Sequence, residues 1–251
     1  MTATDTVASA RRLDWQFAYV GGILVETYRV KSLLLELAQP LGHLPGQHVD
    51  VRLTADDGYQ AQRSYSISSA PEDELLSLTV ERVADGEVSP YLHDELRVGD
   101  RLQLRGPIGG HFVWTSATND PLFVIAGGSG ITPFMAMLRH RAKAARRAPV
   151  LLIYSARSLK DVIYHDELDA MARGDDDLRV IYALTRQQPE GWQGHRGRVD
   201  KTLLAATCLP ASQPPAIYVC GPSSFVESVS GSLVELGFDA LLIKTERFGP
   251  S

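Results

Sequence analysis

Four consecutive residues, Arg63-Ser64-Tyr65-Ser66, put a cation, an aromatic ring and two hydroxyls in one short stretch. In an extended segment side chains alternate faces, so Arg63 and Tyr65 point one way and Ser64 and Ser66 the other. A guanidinium grips phosphate, a phenol ring lies against a flat ring system, and a hydroxyl reaches its edge. The pattern suits a flat, anionic cofactor. Farther along, Gly127-Gly128-Ser129-Gly130-Ile131-Thr132-Pro133 follows the apolar run 122–126 and opens a helical stretch. A glycine turn between a strand and a helix N-terminus cradles a pyrophosphate. Two anion-and-ring sites on one chain suggest two nucleotides meeting.

Three further groups of residues bear on chemistry. Val80-Glu81-Arg82-Val83 is followed by Gly86-Glu87-Val88-Ser89-Pro90. Ser89 and Pro90 read as a helix N-cap and first residue, and Gly86 allows close approach, which makes a second phosphate seat. The plain alternative is a capped helix after a turn. Cys220-Gly221-Pro222 ends an apolar run, with Ser223 expected as the next helix cap. A lone cysteine there is more often packing than chemistry. Arg157 and Arg186 follow apolar runs, at what would be the carboxyl ends of parallel strands, where such sheets bind ligands. With Arg198 they bear on the choice of dinucleotide. The run 150–154 continues as Ser155-Ala156-Arg157-Ser158, without an acidic residue to hold a ribose 2′-hydroxyl. A charge-assisted hydrogen bond contributes about 1.5–3 kcal/mol, so one arginine on a 2′-phosphate shifts preference by roughly tenfold to a hundredfold. The arginines therefore favour NADPH over NADH.

Two different elements must carry these residues. Over residues 13–112, Val49, Val51 and Leu53 alternate with polar neighbours, as do Leu76, Leu78 and Val80, and Leu102 and Leu104. Period two, with turn signals at Asp57-Gly58, Asp85-Gly86 and Gly99-Asp100, predicts antiparallel strands closing a small barrel or sandwich, interrupted by a short helix near 89–95. After Asn119-Asp120-Pro121 come continuous apolar runs at 122–126, 150–154, 178–183 and 216–220, separated by helical stretches near 133–147, 161–172, 201–207 and 223–236. That is a parallel sheet covered on both faces. Pro133 suits a first helical turn and Gly237 a C-terminal cap. The expected domains are 13–115 and 121–251. Residues 1–12 read as loosely attached.

Composition sets the bounds. The 251 residues are 44% hydrophobic and 22% charged, as in an ordinary globular protein. A net charge of −5 speaks against nucleic acid as a partner. Two cysteines, Cys208 and Cys220, are too few for a disulfide framework or a four-thiolate cluster. The seven histidines show no metal-ligand spacing. No apolar run approaches the roughly 20 residues that span a bilayer, and 1–12 lacks a signal-peptide core. The expectation is a cytoplasmic protein that binds neither membrane nor metal. The cations Arg139, His140, Arg141, Lys143, Arg146 and Arg147 complement a helix dipole and are expected to form a solvated basic face. A docking patch for an acidic redox partner is the alternative.

Taken together, the Arg-x-Tyr-Ser element, the Gly-x-x-Ser element, the Gly-Gly-x-Gly-Ile-Thr-Pro loop and the late Cys-Gly-Pro stand in the order found in the ferredoxin–NADP reductase superfamily. The chain resembles that family over nearly all of residues 13–251. The resemblance implies a flavin-binding antiparallel barrel followed by an α/β parallel-sheet domain for a pyridine nucleotide. Tyr65 would stack on the isoalloxazine and Ser66 would sit near its reactive nitrogen. Arg63 and Ser89 would hold flavin phosphates, with Ser64, Val80, Arg82, Val83, Gly86 and Val88 alongside, and the second element favours FAD over FMN. Gly128, Gly130, Thr132 and Pro133 would seat the dinucleotide. Their last position departs from G-x-G-x-x-G, as the family's does. Arg157, Arg186 and Arg198 would reach the 2′-phosphate. Cys220, Gly221 and Pro222 would lie beside the nicotinamide, Glu246 would relay a proton or shape that pocket, and Phe248 would cover the ring. A solvated tail is the alternative for 246–248. The implied activity is hydride transfer from NADPH or NADH to FAD, then electron delivery to a separate carrier such as a ferredoxin or an oxygenase component. A flavin enzyme reducing a quinone or free flavin, and a non-catalytic redox sensor, are the competing readings.

Overall fold

The computed structural model describes residues 13–117, 120–207 and 215–249. Residues 1–12 and Cys208 lie outside them. The first half carries β1 (Gln16–Thr27), β2 (Val30–Leu37), β3 (His48–Thr54), β4 (Gln60–Ser66), β5 (Leu76–Glu81), α1 (Ser89–Asp94) and β6 (Arg101–Ile108). The six strands are antiparallel in the order β4-β3-β6-β1-β2-β5, and an isolated bridge between Ile67 and Leu78 brings the β4 end back to β5. The period-two pattern is what closes this barrel. Val49, Val51, Leu78, Val80, Leu102 and Leu104 all turn inward into one core.

The second half carries β7 (Leu122–Gly127), a tight turn of helix (Gly128–Ile131), α2 (Thr132–Lys143), β8 (Val150–Ala156), α3 (His165–Arg173), β9 (Leu178–Leu184), β10 (His195–Arg196), α4 (Lys201–Thr207), β11 (Ala216–Pro222), α5 (Ser223–Glu235) and β12 (Ile243–Phe248). Its sheet, in the order β10-β9-β8-β7-β11-β12, is parallel throughout. The continuous apolar runs divide between two cores. Leu122, Val124, Leu152 and Tyr154 pack with α2 and α3 on one face; Phe123, Ile125, Leu151 and Ile153 pack with α4 and α5 on the other. Both faces are buried, so no polar alternation survives in these strands. Gly237 ends the α5 region at φ +94°, its N–H donating to the Val234 carbonyl, a conformation that favours glycine.

The structure departs from the sequence expectations at several places. The segment around Glu246 adds a strand that the apolar runs did not announce, β12, paired with β11, which removes the solvated-tail alternative. Ser89 and Ser223 are not N-caps: each helix begins one residue earlier than expected, with Val88 and Pro222 at the cap positions and no side-chain capping bond. The Ser89 hydroxyl is taken up by the Val83 N–H at 3.0 Å. The cations of α2 do not form one solvated face. Arg141 is 2% exposed, giving its Nε–H to the Ala148 carbonyl and pairing with Asp175 at 2.6 Å. Arg139 pairs with Glu167 at 2.7 Å and donates to the Ser68 carbonyl of the barrel at 2.8 Å. Arg141 is thus spent within its own half, whereas Arg139 also reaches across to the barrel. His140 with Glu72, Lys143 with Asp73, and the Tyr164 hydroxyl with Thr79 continue that seam.

Candidate active site

The barrel presents β4 with Arg63 and Tyr65 directly opposite Val51 and Val49 of β3, while Ser64 and Ser66 face Asp50 and His48. Alternation thus divides the motif as its spacing requires. Tyr65 packs its ring against the barrel core, and that burial raises its hydroxyl well above the ordinary range. Arg63 stays exposed, donates to the Gln62 carbonyl at 2.7 Å and meets Glu87 at 3.5 Å. Ser66 is 5% exposed. Ser64 is committed elsewhere. Its hydroxyl donates to Asp50 at 2.7 Å, and Asp50 also accepts from Arg105 at 2.7 Å. Burial pushes the Asp50 carboxyl up, but these two hydrogen bonds outweigh it and hold the group below its usual range. This Ser64–Asp50–Arg105 brace lies across three strands; nothing in the local sequence around 63–66 announces it.

The second barrel element is drawn together by its own hydrogen bonds. Gly86 donates to the Val83 carbonyl at 3.0 Å, closing the turn that carries Ser89 to the Val83 N–H. Val80 and Val88 are buried in the core, and the Val80 carbonyl meets the ring nitrogen of His93 at 2.8 Å. Arg82 is bound to Asp94 of α1 at 2.8 Å.

In the second half the helical turn Gly128–Ile131 touches β7, β8, β11 and β12 of its own sheet and β5 of the barrel, which places it at the junction of the two sheets. Gly128 stands at φ +56°, and a Cβ at Gly130 would run into the Cys220 carbonyl. Gly128 is favoured by its positive φ, with open space around it, whereas at Gly130 backbone approaches backbone. The Thr132 hydroxyl donates to the Ser129 carbonyl at 2.8 Å, and Pro133 sits buried in the first turn of α2. Arg157 follows β8 and lines the cavity beside Gly127, Gly128 and Ser129. The Arg157 carbonyl accepts from the Arg186 N–H at 2.9 Å, so the two arginines follow neighbouring strands. Arg198 lies beyond β10, its carbonyl 3.1 Å from a His195 ring nitrogen. No carboxylate pairs with Arg157, Arg186 or Arg198 among the described residues.

Cys220 and Glu246 are register partners on β11 and β12, and Pro222 partners Phe248. Cys220 is fully buried; burial first, and then the nearby Glu246 carboxylate, push its thiol up. Burial raises Glu246 to about 7. Its Oε2 is buried with no hydrogen-bond partner among the described residues. The family resemblance set both residues at one pocket; strand register is what makes them direct neighbours.

Comparison with known proteins places this architecture. A family model described as oxidoreductase FAD-binding domain matches residues 24–114, and one described as oxidoreductase NAD-binding domain matches 124–231. Ferredoxin–NADP reductase B of Sorangium cellulosum is 35% identical over 230 residues, covering 87% of this chain and 91% of that protein. The chain belongs to the ferredoxin–NADP reductase superfamily. The glycine betaine monooxygenase reductase subunit of Pseudomonas aeruginosa is 34% identical over 233 residues, 91% of this chain but only 63% of that protein. Among solved structures, the FAD/NAD binding domain of nitric oxide dioxygenase from Vibrio cholerae O1 biovar El Tor superposes with a TM-score of 0.84 at 28% identity, covering 94% of this chain and 99% of that one.

The barrel half thus matches an FAD-binding domain and the parallel-sheet half an NAD-binding domain. The residues fit both groups. Arg63 and Tyr65 share one face, Glu246 Oε2 lacks a partner among the described residues, and the space around Gly128 is open. Among the described residues no three His, Cys, Asp or Glu side chains gather as a metal site, and no helix is long and apolar enough to cross a membrane.

Proposed function

We propose that the protein is an FAD-dependent NAD(P)H reductase that delivers electrons to a separate acceptor protein, a ferredoxin or an oxygenase component. The domain limits that follow are 13–115 for FAD and 121–251 for the dinucleotide, with NADPH the preferred donor and the cytoplasm the place of work. The observation that carries the reading is the Gly128–Ile131 turn packed simultaneously against barrel strand β5 and against β11 and β12, so that a dinucleotide seated on it starts at the seam between the domains. The reductase names of the relatives support the acceptor assignment.

Bound FAD supplies the redox chemistry, accepting hydride and releasing electrons. The chain's residues position the reactants. Tyr65 offers its ring face for the flavin, Arg63 exchanges its exposed contact with Glu87 for a phosphate, and the Ser89 turn, with Arg82, Val83, Gly86 and Val88, shapes the pyrophosphate seat. Ser66 offers its hydroxyl to the flavin edge. Gly128, Gly130, Thr132 and Pro133 seat the dinucleotide, Arg157, Arg186 and Arg198 present cations for a 2′-phosphate, and Cys220-Gly221-Pro222 frames the nicotinamide. Glu246, poised near neutrality, holds or releases a proton at its unpartnered Oε2, and Phe248 walls the pocket. Ser64 we assign to bracing β4 through Asp50, not to direct contact.

Anaerobic stopped-flow mixing of the flavin-loaded protein with NADPH and with NADH tests this. Rapid bleaching of the flavin absorbance is expected, faster with NADPH. A bound flavin that neither nucleotide bleaches would leave the sensor reading in place.

A further inference from the structure

A cavity of about 220 Å³ lies between the two domains. On one wall are the Gly127–Ser129 turn and Arg157; the barrel contributes Glu81 and Arg29, the latter from the two-residue turn joining β1 to β2. Arg29 is poorly satisfied for a side chain only 33% exposed. Its Nη2 stands 3.5 Å from Glu81 Oε1 and 3.6 Å from Asp161 Oδ1, beyond good hydrogen-bond distance. Its Nε is buried and meets no acceptor among the described residues. Arg141, by contrast, spends its donors at 2.5 and 2.6 Å. A guanidinium presents five donors in a rigid fork, and burying them without acceptors is unfavourable. Glu81 and Asp161 line the cavity beside Arg29 but stand too far off to satisfy its fork, which leaves donors for a closer oxyanion. Arg157 faces the same cavity without a carboxylate of its own, so two guanidiniums stand there against the two carboxylates of Glu81 and Asp161, and only Arg29 contacts them.

We propose that Arg29 is a phosphate-binding residue that the barrel lends to the dinucleotide, exchanging its long contacts with Glu81 and Asp161 for a phosphate in the interdomain cavity. The inference rests on the reductase reading. It adds a ligand from the flavin domain to a site otherwise built by the other half of the chain, so the dinucleotide ties the two domains together as it binds. The phosphate is either the pyrophosphate, common to NADH and NADPH, or the 2′-phosphate of NADPH alone.

Calorimetric titration of the flavin-loaded protein with ADP-ribose and with 2′-phospho-ADP-ribose separates these. Arg29→Ala is expected to weaken binding about tenfold, the loss of one charge-assisted contact. Equal loss for both ligands assigns Arg29 to the pyrophosphate; loss confined to the phosphorylated ligand assigns it to the 2′-phosphate. Arg29→Lys, which keeps the charge without the fork, is expected to recover part of the affinity, a graded response that a purely structural role does not produce. If Arg29→Ala binds both ligands as tightly as the unaltered protein, the inference fails while the reductase reading stands. If the unaltered protein binds neither ligand, both fail.

Discussion

The barrel's cations already face carboxylates: Arg63 meets Glu87 and Arg82 meets Asp94, all at the surface. Across the seam, Arg157, Arg186 and Arg198 have no such partners among the described residues. The barrel site also depends on a ring, Tyr65, packed on the core, whereas the other site depends on a glycine turn and open charge. Exposed ion pairs contribute only about 0–1 kcal/mol, so giving one up to admit a phosphate costs little, though it offsets part of what the phosphate contributes. On the proposed reading the flavin would be held chiefly by ring packing and backbone, as befits a resident group. The dinucleotide would be held chiefly by charge, as befits a substrate that must leave.

The largest expected effect breaks the contrast at its backbone. Gly130→Ala would drive a methyl into the Cys220 carbonyl and the Gly221 N, and overpacking of this kind costs about 3 kcal/mol. A clear drop in melting temperature is expected. Gly86→Ala in the barrel meets its nearest atoms, the Ser89 hydroxyl and Val83 carbonyl, at 3.2 Å, and should melt close to the unaltered protein. Similar melting for both would erase the difference in backbone closeness.

Glu246 gives the next effect, through pH. Its folded value of about 7 lies above the ordinary 4.5, so between those values the folded chain holds a proton that the unfolded chain has lost. Stability therefore falls as pH rises through this window, by up to about 3 kcal/mol. Melting curves of the flavin-free protein should show that fall, and Glu246→Gln should flatten it; an equal fall in both would mean that another group titrates.

Tyr65→Ala should weaken FAD retention by roughly 2 kcal/mol, about thirtyfold, from lost ring contact. Equilibrium dialysis measures it, and unchanged flavin content would remove the ring from the comparison. Replacing Arg157 and Arg186 with Ala should raise KM for NADPH about tenfold more than for NADH; equal rises would cancel the 2′-phosphate assignment. The smallest effect is the most direct test of packing against charge. Raising salt from 0.05 to 0.5 M, values on the order of those that shorten the Debye length to a few ångströms, should weaken NADPH binding several-fold and leave FAD binding nearly unchanged.

Much of this was legible in the chain itself, and the physical reason is locality. Period-two alternation at 49–53 and 76–80 and continuous apolar runs at 122–126 and 150–154 report one-face and two-face burial through backbone geometry alone. Gly128 and Gly237 mark positive φ, and the division of Arg63 and Tyr65 from Ser64 and Ser66 follows from the pleat. The cap positions were misread because Ser89 had a competing partner in Val83, which propensity does not weigh. Other features rest on contacts between distant residues. Asp50 meets Arg105 and Ser64 only because β3 lies between β4 and β6. Glu246 stands beside Cys220 by strand register, Arg141 is buried against Asp175 and the Ala148 carbonyl, and Arg29 reaches the interdomain cavity from a hairpin about a hundred residues upstream of the glycine turn. Side-chain type and spacing set the elements and their chemistry; sheet order and domain docking decided which of those chemistries face one another, because such contacts depend on packing that no local pattern encodes.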